Sequence, residues 1–403
     1  MSDPDAAPAR GTVGEVFGAF LKLGLTSFGG PIAHLGYFRA ELVERRRWID
    51  ERGYADLVAL SQFLPGPASS QVGFALGLRR AGPLGALAAF LAFTLPSAAL
   101  LVAFAAGAAL LDGPVATGAL AGLKIVAVAV VAHAVLGMAR ALTPDARRAG
   151  IAVAAIALTV LVGGGLGQLG AIVLGAVAGL VLCRVPGEPA AEGGAFRVPR
   201  AVGVAALAAF AALLAGLPVL AALVRDPALS LADAFYRAGS LVFGGGHVVL
   251  PLLEAEVVAP GWVGSSEFLA GYGAAQAVPG PLFSFAAYLG AIAEPGPGGV
   301  AGAALALVAV FLPGFLLLVG VLPFWDALRR RSGAQAILRG ANAAVVGILA
   351  AALYDPVFVS AVVDGPTFVL AALCFALLVA ARTPPWVVVL VGAAGGILVA
   401  LVA

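Results

Sequence analysis

Charge is scarce in this chain: Asp, Glu, Lys and Arg make up 11% of its 403 residues, while 62% are apolar. A soluble domain of that length needs far more polar surface to cover its core, so that class is excluded. Cysteine is rarer still. Cys183 and Cys374 have no metal-ligand or redox spacing, which excludes a disulfide framework and a thiolate metal centre. Three histidines with no HExxH, no GxxxxGK[ST] loop and no nucleophile–base pair leave no basis for a membrane enzyme or a nucleotide-driven pump. The chain is read as a non-enzyme, and no cofactor or metal is expected. Its net charge of +2 lies in short arginine-bearing loops rather than on one basic face, so nucleic acid is not an expected partner. Met1 to Gly11 is polar and lacks a cleavable signal pattern.

Long apolar runs are abundant. Leu84 to Leu111, Ala149 to Cys183, Ala201 to Val224 and Pro295 to Trp325 are free of charge, and each meets or exceeds the roughly 20 residues that cross a bilayer as helix. The expected class is an all-α integral membrane protein surrounded by lipid.

The chain is also written twice. Phe20-Leu21-Lys22-Leu23-Gly24, running on to Phe28-Gly29-Gly30, returns as Phe235-Tyr236-Arg237-Ala238-Gly239 and Phe243-Gly244-Gly245. Downstream, Gln62 before Pro65-Gly66-Pro67 answers Gln276 before Pro279-Gly280-Pro281; Leu95-Pro96 answers Leu312-Pro313, and Gly122 answers Gly340. The expected organisation is a first membrane repeat over 12–183, a linker and connecting helix over 184–225, and a second repeat over 228–403.

Loop charges give the two copies opposite orientations. Between its Gly-Gly and Pro-Gly-Pro elements the first copy has Arg39, Arg45, Arg46, Arg47 and Arg52; the matching segment of the second has Glu254, Glu256 and Glu267 and no basic residue. Further on the sign reverses: Asp112 to Thr117 has no basic residue, and its counterpart has Arg329, Arg330, Arg331 and Arg339. Basic short loops stay cytoplasmic, so inverted-topology repeats account for both observations, with the N-terminus cytoplasmic. Read as a re-entrant hairpin, a Gly/Pro-broken segment of about 25 residues has arms of about 18 Å, too short to cross the hydrocarbon. Each repeat is therefore expected to hold two re-entrant helical hairpins and about four spanning helices, with one extra span joining them. Thirteen full spans is the competing arrangement.

Intramembrane charge is costly and tends to mark function, which singles out Lys22 and Arg237, each about two turns before a Gly-Gly turn. Two cations at one cavity suit an anion. Helix starts at Gly29-Gly30, Gly244-Gly245, Pro65-Gly66-Pro67 and Pro279-Gly280-Pro281 offer free N–H groups and the positive dipole end. The plainer reading is that Lys22 and Arg237 snorkel to the interface. Gln62, Gln276, Ser69, Ser70 and Ser284 offer neutral hydrogen bonds, or simply join helices. Lys124 matches Asn342 in register, so one copy has a charge where the other has an amide; both are candidate site residues. His34 and His247, just beyond the two Gly-Gly turns, can titrate in a proton-coupled step, but a satisfied structural role is the preferred reading for each, as it is for His133. Asp233, Glu254 and Glu256 read as loop acids, or as a gate at a hairpin base.

The paired FGG segments, each preceded by a basic residue, the paired PGP elements and the twofold layout resemble the chromate ion transporter family in its long, two-domain form, over nearly the whole chain. The resemblance implies a carrier of the bacterial inner membrane that exports chromate, a tetrahedral dianion shaped like sulfate, by alternating access and confers chromate resistance. Transport of sulfate or another oxyanion, and an anion channel, remain open from the residues themselves. The first FGG continues as Gly-Gly-Pro and the second as Gly-Gly-Gly-His, so the copies are not equivalent. Analogy with other hairpin-bearing carriers admits a homodimer.

Overall fold

Broken helices alternate with long apolar ones, and the order of elements runs through twice. A computed structural model describes residues 11–108, 113–184, 198–243, 245–329 and 331–402. Most of the linker expected from residue 184, together with Gly244 and Arg330, lies outside these. Among the described residues all regular structure is helical.

The first pass runs α1 (Val13–Thr26), α2 (Gly30–Phe38, extended by a π-helical turn, Arg39–Arg45), α3 (Glu51–Phe63), α4 (Ala68–Ala108), α5 (Pro114–Leu142), α6 (Ala146–Val162) and α7 (Gly164–Leu182). After α8 (Arg200–Val224) come α9 (Pro227–Leu241), α10 (Val249–Val257, entered through a 3-10 turn, Gly246–Val248), α11 (Ser265–Ala275), α12 (Phe285–Ile292, entered through Leu282–Ser284) and α13 (Gly299–Val321). The short α14 (Trp325–Arg329) leads into α15 (Ser332–Ala352). The three-residue α16 (Val359–Ala361), α17 (Gly365–Val379) and α18 (Pro385–Val402) close the chain. The correspondence extends to a break inside α4, where Ala81 and Gly82 leave helical geometry (φ −138° and +70°) at the place where α12 gives way to α13 in the second pass.

Helix starts follow from local chemistry. Asp50, Asp145, Asp226 and Asp364 each accept a backbone N–H of the first turn of α3, α6, α9 and α17, satisfying donors that have no partner inside the helix. Seven helices among the described residues are long and apolar enough to cross a membrane, and the protein is a multi-pass, all-helical membrane protein. The matched pair α6 and α17, with 17 and 15 residues, fall short of that length. The flanking helices α1, α3, α9 and α11 have 11 to 15 residues, about 16–22 Å at 1.5 Å per residue and well under a hydrocarbon core of about 30 Å.

Small residues let backbones touch where helices cross, the usual solution where lipid offers no hydrophobic drive. Gly24 of α1 lies against the carbonyls of Ala92 and Phe93 in α4, and its counterpart Gly239 of α9 lies against Val310 of α13. Gly118 and Gly122 of α5 meet Gly392 and Gly396 of α18; Gly340 of α15 meets Gly175 and Gly179 of α7. The last helix of each repeat thus packs on the long helix of the other, and the two copies share one interior.

Candidate functional site

The Gly and Pro breaks put their turns at the centre of that interior. The N–H of Gly280 donates to the carbonyl of Ser27 (2.9 Å), and the N–H of Gly66 donates to the carbonyl of Val242 (2.7 Å). Ser27 and Val242 each lie just before a Phe-Gly-Gly turn, so each Pro-Gly-Pro turn is bonded to the Phe-Gly-Gly segment of the other repeat, reciprocally. Gly66 and Gly280 adopt φ +119° and +107°, where a side chain is strained. A Cβ there would also meet Gly314 Cα at 3.0 Å or Ser97 Oγ at 2.9 Å, the residues after the two Leu-Pro pairs.

These turns border a cavity of about 450 Å³. Its lining takes Gly29, Gly30, Gly66 and Ala68 from the first repeat and Gly245, Gly246, Gly280 and Leu282 from the second. The starts of α2, α4 and the two 3-10 turns that lead into α10 and α12 therefore all border one space. At the starts of α2 and of the two 3-10 turns, Gly29, Gly245 and Pro281 provide no capping oxygen. Unpaired first-turn N–H groups and positive dipole ends make such a place favourable to an anion.

Six polar side chains join the lining: Ser61, Gln62, His133, His247, Gln276 and Asn342. Among the described lining residues there is no Asp, Glu, Lys or Arg. Ser61 Oγ, Gln276 Nε2 and Asn342 Oδ1 are buried without a partner in the protein. His247 Nδ1 lies 2.7 Å from the hydroxyl of Tyr272, which is fully buried.

Of the residues singled out from sequence, Gly29, Gly30, Gly66, Gly245, Gly280, Gln62, Gln276 and Asn342 are brought together here. Gly244 lies outside the described residues. Pro65, Pro67, Pro279 and Pro281 shape the turns without lining the space. Lys124 is not in the lining, and its Nζ donates to Ser266 Oγ (3.1 Å). Ser284 is spent on the carbonyl of Pro281 (2.7 Å), and Ser69 lies 3.4 Å from His34 Nδ1.

Lys22 and Arg237 also lie outside the lining. Lys22 Nζ sits 3.1 Å from Glu41 Oε2, and Arg237 Nη2 sits 2.7 Å from Glu256 Oε2. Both pairs join residues 19 positions apart, so they are the same pair in the two repeats. Glu41 additionally holds Arg45 (2.6 Å) and Arg46 (2.7 Å), whereas Arg237 additionally holds Asp233 (3.2 Å). The carboxylate partners were hidden in sequence among loop charges, although their equal spacing from the basic residues was there to be seen. Tyr272 carried no such signal, and His247 carried one only in following Gly-Gly-Gly.

A family model described as chromate transporter matches residues 14–181 and again 229–397. A chromate transport protein of Cupriavidus metallidurans is 30% identical over 400 residues, covering 95% of this chain and 91% of the relative. The chromate transport protein of Pseudomonas aeruginosa is 29% identical over 353 residues, 87% of this chain and 82% of the relative. An uncharacterized transporter of Methanocaldococcus jannaschii is 26% identical over 84% of this chain and 82% of its own. No solved structure matches the chain significantly.

Proposed function

Because the chain belongs to the chromate transporter family, we propose that it carries chromate, or a tetrahedral oxyanion of the same shape and charge, through the cavity between its two repeats. The observation that carries this reading is the convergence of four helix starts, three of them without a side-chain cap, on one space whose described lining has no carboxylate. Each helix start contributes a favourable end to an oxyanion, and glycine lets the backbone approach it. Gln62, Gln276, Ser61 and Asn342 supply neutral hydrogen bonds around it.

In this reading the short helices flanking the turns form re-entrant hairpins, the repeats are inverted, and the cavity opens alternately to the two faces as one part moves against the other. Lys22, Arg237 and Lys124 act on the anion through their potential along the path to the cavity, because Lys22 and Arg237 are about half exposed and tied to carboxylates. In this reading the N-terminus lies on the cytoplasmic side of a bacterial-type inner membrane, which the basic loops of the first repeat support. The direction is export, with chromate resistance as the consequence, and the mechanism is that of a carrier, with a homodimer as the assembly to look for.

Chromate flux into inside-out proteoliposomes tests this, with wild type beside Gly137→Leu and with excess sulfate as competitor. Gly137 lines the cavity, and a Cβ there meets no neighbouring atom, so leucine fills the space without disturbing the fold. Saturable uptake lost in Gly137→Leu is expected. Uptake abolished by sulfate would reassign the substrate, flux beyond carrier rates would make the protein a channel, and flux indifferent to Gly137→Leu would move the pathway elsewhere.

A further inference from the structure

Resting on the oxyanion reading, we propose that His247 and His133 form a protonatable pair at the anion site, so that each binding event takes protons into the cavity together with the anion. A dianion placed in a low-dielectric space needs compensating charge, and helix ends provide only partial charges. Among the described lining residues the imidazoles of His133, on α5, and His247, in the 3-10 turn before α10, are the side chains that can take up a proton and become cationic.

Geometry fits the role. Tyr272, from α11, reaches His247 Nδ1 at 2.7 Å. A hydroxyl donating to Nδ1 leaves the neutral ring's N–H on Nε2. That nitrogen is next to the first repeat's turn: a Cβ built on Gly30 would be 3.9 Å from it. The second repeat's imidazole therefore presents its N–H to the uncapped start of α2 in the first repeat. On protonation Nδ1–H can donate to the same Tyr272 oxygen, so the ring gains charge without losing its support. The proton comes from the aqueous side to which the cavity is open and leaves with the anion on the other side.

Among the described lining residues there is no competing charge. α11 presents Tyr272 and Gln276, α15 presents Asn342, and α5 presents His133; no described residue of the lining is an acid or a fixed cation. Glu254, further along α10, is not part of the lining. His34, the third imidazole, is buried against Ser69 and also outside it. With one proton taken up, the bound dianion still carries net negative charge and an inside-negative potential drives it outward; with two the complex is neutral and that potential no longer acts on it.

Calorimetry of chromate binding to the purified full-length protein tests the pair, in two buffers of different ionisation enthalpy and at a pH where free chromate is the dianion. The expected result is a buffer-dependent heat that reports net proton uptake, and an affinity that falls as pH rises, by up to about tenfold per pH unit for each proton taken up. His247→Gln and His133→Gln should each reduce the uptake and flatten the pH profile, and Tyr272→Phe should weaken binding while keeping uptake. The wild type alone decides the matter should the variants fail to fold: equal heats in both buffers and a flat profile would overturn the pair. Uptake that survives in the histidine double variant would overturn it as well. A wild type that binds neither chromate nor sulfate would sink the oxyanion reading itself, and with it this inference.

Discussion

The two repeats build the same ion pair and surround it with opposite charge. In the first, one carboxylate, Glu41, is shared by Lys22, Arg45 and Arg46; in the second, one cation, Arg237, is shared by Asp233 and Glu256. The pair holds the helix before the Phe-Gly-Gly turn to the helix after it in both copies, which is a structural task. The surplus around it is a different matter. Positive on one repeat and negative on the other, it polarises an otherwise twofold frame. Were the two repeats inverted, the basic surplus would mark the cytoplasmic mouth and the acidic one the outer mouth, giving an anion a gradient of potential along its path. The shared turns border the cavity, and the charges around the pair are where the copies differ.

The largest effect should come from breaking what the copies share. Gly66→Val and Gly280→Val each force a β-branched residue into φ above +100° against Gly314 or Ser97, a strain of roughly 1–3 kcal/mol before any clash is counted. Both should abolish flux and lower the unfolding temperature in detergent. A twofold frame demands that both fail; normal flux from either variant would show that its turn is not part of the pathway.

Next in size is a difference between the copies. Lys22→Ala leaves Glu41 with Arg45 and Arg46, whereas Arg237→Ala leaves Asp233 and Glu256 facing each other without a cation. Arg237→Ala should therefore cost more, roughly 1–3 kcal/mol, less than a fully buried pair because Arg237 is 43% exposed. Adding Asp233→Asn should recover part of that loss. Equal costs for Lys22→Ala and Arg237→Ala, measured by thermal unfolding, would show that the surrounding charges are too well solvated to matter.

Much of this was legible beforehand because it rests on local chemistry. Apolar runs reported the long helices, and a doubled Gly/Pro pattern reported the breaks, since few other residues permit such turns. Gln62, Gln276 and Asn342 followed from register alone. Three features escaped. Lys22 and Arg237 carried the expected charge, but their carboxylate partners lie a turn and a helix away, and only packing decides that a cation faces a neighbour instead of a cavity. His247 was singled out, but its partner Tyr272 was not, because that position comes from how α11 folds back on the 3-10 turn. The exchange of α7 and α18 between repeats is a tertiary choice, made by glycines that in sequence look like any others in an apolar helix.

The shared amides give a smaller test. Gln276 Nε2 is buried without a partner, whereas Gln62 lines the same cavity with its side chain exposed. A hydrogen bond that forms only with the anion is worth about 0.5–1.5 kcal/mol, so Gln276→Ala should weaken chromate binding up to about tenfold and Gln62→Ala less. The reverse order would show that the anion sits nearer the first repeat.

The smallest expected effect concerns Asp145 and Asp364, the caps of the matched helices α6 and α17. Hydrogen bonds from Arg148, backbone first and then side chain, hold the Asp145 carboxyl below the usual aspartate range; the hydroxyl and backbone N–H of Thr367 do the same for Asp364. A carboxyl whose pKa is lower folded than unfolded stabilises the fold at neutral pH, and that contribution disappears as pH falls through the lowered value. Asp145→Ala and Asp364→Ala should thus each lower the unfolding temperature slightly at neutral pH, with the gap to wild type closing in acid. Salt separates the two. Asp145 also pairs with the Arg148 guanidinium at 2.6 Å, whereas the partner of Asp364 is neutral, so added salt should narrow the Asp145 gap and leave the Asp364 gap unchanged. Equal salt responses would mean that the first repeat's surplus of arginine lends nothing to this cap.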